Sequence, residues 1–277
     1  MPSPRRPVRV ITPPRRWTVA DPRDLIAHRD LLVRFTIRDL TLRYRQTLLG
    51  VGWVILLPLI AAGAFAVVFG RIAGLDSQGT PYFVLALAGM VLWTGFSQGV
   101  TRLSTSLVSN AALISKVYFP RLVLPVSGLG SVAVDLMVSL VMTLIVVVVN
   151  DIAFSATVLV LPVWAALTLV LASGIGLAAA ALMVRYRDVQ FVLPVVLQVL
   201  LYASPVAYSL DAVPADLRDL YAINPLTGLL EGWRWSLLGG AAPPTAALVS
   251  SVIWAVLALG LGAFVFARLE REFADVI

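Results

Sequence analysis

Six long apolar stretches divide this chain, and the arginines between them fall almost entirely on one side of an alternating path. Uncharged runs occupy 46–70, 77–101, 152–184, 189–210 and 235–267, and a sixth, 122–150, is broken only by Asp135. Each is as long as the roughly 20 residues that a helix needs to cross a bilayer. Backbone amides in hydrocarbon must find partners within their own segment, so such runs become helices. The expected fold is an all-α membrane protein with six transmembrane helices near 48–69, 82–101, 125–149, 157–184, 189–208 and 246–267.

Composition narrows the chemistry. Charged residues are 13% of the 277, and mean hydropathy is +0.93. The spans use nearly everything after residue 45, which leaves no room for a soluble catalytic domain. There is no cysteine, so disulfides, thiolate catalysis and cysteine-ligated metals are excluded, and the single His28 excludes metal sites that need two histidines. A Walker A loop needs Gly-Lys-Ser/Thr, but the only lysine, Lys116, follows Ser115. HExxH and GxSxG are also missing. The reading is a non-enzyme that binds no metal and no cofactor of its own.

Orientation follows from the positive-inside rule. With the N-terminus inside, eighteen of the 21 basic residues fall inside, and only Arg71, Arg218 and Arg234 fall outside. The chain is therefore expected to be multi-pass in the cytoplasmic membrane with both termini in the cytoplasm. Residues 1–20 form a Pro- and Arg-rich arm, expected to be disordered and to touch anionic lipid rather than nucleic acid, since a membrane span follows it. Residues 21–47 are expected to form an amphipathic helix in the membrane interface, started by Asp21-Pro22. The six-helix domain fills 48–277. Within it, 209–245 is too apolar for an open loop and too broken for a crossing. Two short re-entrant helices on the outer side fit it, with Glu231 and Arg234 spaced to pair.

Three groups of residues are candidates for function. Asp135 is the one acid inside a span and must face protein or water, as a structural hydrogen-bond partner or as a charge partner in a lumen. In the connection 102–124, Asn110 can cap a short helix that exposes Leu113, Ile114 and Phe119, rimmed by Lys116 and Arg121. Such a helix suits a partner's groove or lies on lipid. Trp53, Phe65, Trp93, Phe96, Tyr202 and Tyr208 are either interfacial anchors or a stacking surface for sugars in a channel.

Several stretches taken together resemble one family, the membrane subunits of ABC-2-type transporters that export polysaccharides and teichoic acids. The matching residues are Arg38-Asp39-Leu40 through Arg43-Tyr44-Arg45, Leu49-Gly50, Trp53, Pro58, Asn110, Leu113-Ile114-Ser115-Lys116, Phe119-Pro120-Arg121, Leu124-Pro125, Arg185-Tyr186-Arg187-Asp188, Ser204-Pro205-Val206, Asn224-Pro225-Leu226 and the tail from Phe266 through Glu270 to Asp275. The resemblance runs from about residue 25 to the end of the chain. It implies a homodimer bound by two copies of a cytoplasmic ABC ATPase, which carries the ATP and Mg. It also implies that Asn110, Leu113, Ile114, Ser115, Lys116, Phe119 and Arg121 couple the two proteins. The implied cargo is a lipid-linked polymer, an O-antigen-like glycan or teichoic acid on polyprenyl diphosphate, with Arg38, Arg43 and Arg45 as contacts for the diphosphate or for anionic phospholipid.

Export of a drug or lipid by an ABC-2 permease keeps the same architecture. A polyprenyl-phosphate glycosyltransferase needs clustered acids on an inside loop, where this chain offers Asp188 and little else. A non-catalytic scaffold would not need the small-residue packing surface of Ala172, Ser173, Gly174 and Gly176.

Overall fold

A computed structural model describes residues 26–45, 47–77, 79–117, 119–270 and 273. Every regular element among them is helical. Helix α1 spans Arg29–Tyr44. Helix α2, Gly52–Phe65, continues as a π-helical stretch, Ala66–Ile72. Then come α3 (Tyr82–Ser109), the single turn α4 (Ala111–Ile114) and α5 (Val123–Val149). A 3-10 segment, Ala156–Val160, leads into α6 (Leu161–Arg185), and α7 is Val189–Ala203. Two short helices, α8 (Arg218–Ile223) and α9 (Pro225–Leu238), precede α10 (Thr245–Leu269).

Five of these helices are long and apolar enough to cross a membrane: α2 with its π extension, α3, α5, α6 with its 3-10 lead, and α10. They correspond to five of the six expected spans. The remaining run does not stay helical to residue 208. Helix α7 stops at Ala203 after 15 residues, about 22 Å at 1.5 Å per residue. The cause is local. Ser204 precedes Pro205, whose ring excludes the α conformation from its neighbour, and Ser204 is extended at ψ 150°.

Helix α3 is the centre of the bundle. In its most apolar stretch 78% of residues are buried, against 17% in α2 and in α10. It packs against α6, α5, α2 and α9, while α10 packs on the far side of α6. Small residues set these distances. Gly174 of α6 and Gly262 of α10 bring the two backbones together so closely that a Cβ on either would overlap the other's main chain. Gly95 and Gly99 of α3 receive Leu136 of α5 and Ala172 of α6.

The bundle has two distinct ends. One gathers α1, α4, the start of α5 and the ends of α6 and α10; it is called the α4 end below. Its core holds Leu103, Leu107, Leu124, Leu177 and Phe266. The other holds α8, α9 and the segment 204–217 and is the α9 end. Trp233, Phe96 and Leu229 fill the larger core beneath it. Helix α1 runs along α5, with Thr36 Oγ1 donating to Ser127 O at 3.1 Å and Arg43 reaching Asp135. The helix start expected at Asp21-Pro22, and the arm before it, lie outside the described residues.

Candidate functional site

Helices α1, α3 and α5 converge on one carboxylate. Asp135 Oδ2 accepts from Arg43 Nη1 of α1 and from Arg102 Nη2 of α3, each at 2.6 Å. Its Oδ1 accepts from the Tyr44 hydroxyl. Gln98, one helical turn before Arg102, accepts from Arg102 at 2.7 Å and from Arg43 at 3.2 Å. Arg102 Nη1 also donates to Ser131 at 2.6 Å. Asp135 itself is 7% exposed. A buried carboxylate is stable only when paired and hydrogen-bonded, and this one has donors on both oxygens. Burial and the bond to Asp135 push the Tyr44 phenol up to about 12, so it stays a donor.

The cluster carries two guanidinium groups for one carboxylate and so has net positive charge. It borders a cleft lined by Arg43, Trp53, Pro58, Gln98 and Asp135. It also lies where α2 begins: Ser139 Oγ of α5 donates to Val54 O in the first turn of α2 at 3.4 Å. Asp135 therefore lies near the level of the first turn of α2, midway along the 27-residue α5.

Below the cluster, the connection from α3 to α5 is tied to α1 and to the end of α10. Arg38 donates to Asn110 Oδ1 at 3.0 Å, pairs with Asp39 at 3.0 Å and lies 4.8 Å over the Phe35 ring. Phe35 packs on Phe119 at 6.0 Å. Asn110 precedes α4 but does not cap it; its Nδ2 donates back to Ser106 O at 2.8 Å, and its oxygen is taken by Arg38. Arg121 donates to the Glu270 carbonyl and stacks at 5.9 Å over Phe273. Burial pushes the Glu270 carboxyl up, against the opposing effect of Arg121. Leu113, Ile114 and Phe119 are not the exposed knobs expected from sequence. All three are half-buried against the lower core, because α4 is one turn long and folds back on α3. The exposed surface there is Ala112, Ser115, Lys116 and Val117.

The α9 end holds a second charge cluster. The buried Arg234 pairs with Glu231 at 3.2 Å, one turn away on α9. It also donates to Val206 O at 2.5 Å and to Tyr208 O at 2.8 Å. Tyr82 donates to Ala207 O at 2.8 Å, Asn224 Nδ2 to Ala203 O at 3.1 Å, and Glu231 accepts from Leu210 N at 3.1 Å. The non-helical, largely buried segment after α7 thus has its backbone groups satisfied by side chains, as buried irregular chain must. Glycine at 89 is required here, since a Cβ would collide with the Val206 carbonyl and the Arg234 guanidinium. Asn224 also caps α9, accepting from Leu226 N at 3.0 Å, with Pro225 at the helix start.

The structure brings together some predicted residues and separates others. Arg43 lies in the Asp135 cluster, Arg38 is engaged with Asp39 and Asn110, and Arg45 is exposed beyond the end of α1. The six aromatics do not form one surface. Trp93 and Phe96 stack at 5.7 Å inside the core, Trp53 and Tyr202 are exposed, Phe65 packs on Phe69 at 5.7 Å, and Tyr208 lies against Tyr221 and Phe69. Sequence reasoning missed Arg102, Gln98 and Tyr44. The available signal was the Gln98–Arg102 spacing of one turn at the charged end of a span.

A family model described as ABC-2 type transporter matches residues 31–238, which include both charge clusters. The chain belongs to the ABC-2 type transporter family. Among its relatives is a Klebsiella pneumoniae protein named O-antigen export system permease protein RfbA. It is 24% identical over 249 residues, covering 90% of this chain and 95% of that protein. A Myxococcus xanthus protein of the same name is 26% identical over 261 residues, covering 92% of this chain and 98% of its own. The ABC-2 match spans α1 through α9, so the converging helices, the α3–α5 connection and the Arg234 bracket all belong to the shared transporter body.

Proposed function

We propose that this chain is the membrane channel subunit of an ATP-driven exporter that moves a polyprenyl-diphosphate-linked polysaccharide, O-antigen-like or teichoic acid, across the cytoplasmic membrane. It acts as a homodimer with two copies of a cytoplasmic ABC ATPase, which binds the ATP and Mg. The α4 end faces the cytoplasm with both termini, in keeping with eighteen of 21 basic residues falling on that side. Helix α7 and the extended residues after it make the remaining crossing, giving six. Helix α1 lies at the inner boundary, and α8 and α9 form the re-entrant pair at the exit.

The observation that carries this reading is the excess of arginine over acid where α1, α3 and α5 converge, beside a small cleft lined by Arg43, Gln98 and Asp135. A lipid diphosphate entering from the inner leaflet meets Arg43 and Arg102 there, and guanidinium is well matched to phosphate oxygens. The relatives named for O-antigen export, matched over nearly their whole length, support the polymer over a drug or a phospholipid. Coupling falls to the exposed Ala112, Ser115, Lys116 and Val117, with Asn110, Leu113, Ile114, Phe119 and Arg121 fixing their position.

The test is co-purification with the neighbouring ATPase and reconstitution in nanodiscs. Added polyprenyl-diphosphate oligosaccharide is expected to stimulate ATP hydrolysis, and Lys116→Glu with Ala112→Asp to abolish the stimulation while the complex stays folded. Stimulation by phospholipid or drug alone would overturn the polymer reading. Failure to bind any ATPase would overturn the exporter reading.

A further inference from the structure

Helix α10 buries one large side chain, Phe266; its other buried residues are Ala247, Ser251, Ala255 and Gly262. Phe273, beyond the end of that helix, is nevertheless 1% exposed and meets Phe266 edge-on at 5.5 Å and 80°. It completes a core shared with Leu103 and Leu107 of α3, Leu124 of α5 and Leu177 of α6. Chain that follows a spanning helix out of the membrane is free to stay solvated, so a fully buried ring there marks a specific attachment.

The attachment is Arg121, in the connection from α3 to α5. Its guanidinium donates to the Glu270 carbonyl at the end of α10 and lies 5.9 Å over the Phe273 ring. A cation at the last carbonyls of a helix is favourable. Helix α10 carries its own basic residue in the last turn, Arg268, yet this cap comes from an element 149 residues away. One side chain therefore ties two elements together. The connection is held at both ends, by α1 through Arg38 on Asn110 and Phe35 on Phe119, and by α10 through Arg121. Between those ends lie the exposed Ala112, Ser115, Lys116 and Val117. A push on that surface passes to whatever holds its ends, because packed side chains and hydrogen bonds carry displacement between rigid elements. Helix α10 in turn moves with α6, since Gly174 and Gly262 bring their main chains into contact.

We propose that Arg121, the Glu270 carbonyl and Phe273 form a latch through which movement of the ATPase at the α3–α5 connection reaches the α6–α10 pair, with Phe273 as the positioning residue that seats Arg121. This rests on the exporter reading above and adds α10 to the path.

Phe273→Leu keeps the slot filled by an apolar side chain and removes the ring beneath Arg121. In the nanodisc complex, the ratio of hydrolysis stimulated by polyprenyl-diphosphate oligosaccharide to basal hydrolysis is expected to fall about two- to fivefold, the size of one cation–π contact. The half-stimulating concentration is expected to stay the same. Arg121→Gln is expected to lower the same ratio, and the double variant to do no worse than Arg121→Gln alone. In the permease without its ATPase, Phe273→Leu is expected to raise amide exchange in 111–117 while the core of α3 stays protected. A lower melting temperature with the ratio unmoved makes the contact merely structural and overturns the latch. Additive losses in the double variant, unchanged exchange in 111–117, or a shift in the half-stimulating concentration overturn it as well. A parent chain that binds no ATPase overturns the exporter reading itself, whatever the exchange in 111–117 shows.

Discussion

At the α4 end one carboxylate, Asp135, is shared by two arginines from different helices; at the α9 end one arginine, Arg234, is shared by a carboxylate and two backbone carbonyls. The first cluster is partly open, with 35% of the Arg43 side chain exposed, and the second is closed, with 6% of Arg234 exposed. If α1 withdraws Arg43 into water, Asp135 keeps Arg102 and no buried charge is orphaned. If Arg234 leaves, Glu231 and two carbonyls lose their donor in a closed site. Surplus donors around a shared acceptor permit motion. A donor whose every bond is needed forbids it.

Arg234→Gln gives the sharpest contrast and the largest expected effect. Breaking a buried pair costs about 3–5 kcal/mol. The variant should lose most of its folded yield by fluorescence-detected size exclusion. A well-folded Arg234→Gln would end the claim that this end is rigid. Gly89→Ala should come next, because a methyl there meets main chain and guanidinium together; overpacking of this kind costs about 1–3 kcal/mol. A fall in melting temperature checks it, and an unchanged value would mean that the 204–210 segment can shift aside.

Asp135→Asn should be milder for the fold and stronger for α1. It leaves Arg43 and Arg102 facing each other without their acid, so amide exchange in 29–44 should rise while the core of α3 stays protected. Equal loss of protection in both would make the two clusters alike. Tyr44→Phe is the smallest, about 1 kcal/mol for one hydrogen bond. The sign of its pH effect is fixed. With the folded phenol raised to about 12 from an ordinary 10, stability is fully present below pH 10 and is lost as pH rises through 12. Tyr44→Phe should lack that loss in alkaline melts.

Much of this was legible in the chain. Long uncharged runs located five spanning helices, four of them to within a few residues, because the bilayer constraint acts on composition and not on tertiary context; α3 runs eight residues past the expected 101, to Ser109. The Glu231–Arg234 pair was legible because it is local to one helix. The Asp135 cluster was not. Arg43 and Asp135 are 92 residues apart, and nothing in either neighbourhood names the other. The burial of Leu113 and Ile114 was misjudged because the length of α4 decides it, and a one-turn helix leaves its apolar side against whatever precedes it. The end of α7 could have been read from Ser204-Pro205, but the apolar run continues through it and hides the stop.

The bracket around Arg234 also fixes an order of assembly. Each partner of Asp135 precedes it in the chain, so that cluster can close as soon as α5 has entered the membrane. The groove at Ala88 and Gly89 waits for Trp233 and Arg234; Trp233 reaches the Ala88 carbonyl across 145 residues. Until they arrive, α3 holds an open slot and the Val206 and Tyr208 carbonyls lack their Arg234 donor. The Asp135 cluster can therefore close early during synthesis, and the Arg234 bracket closes nearly last.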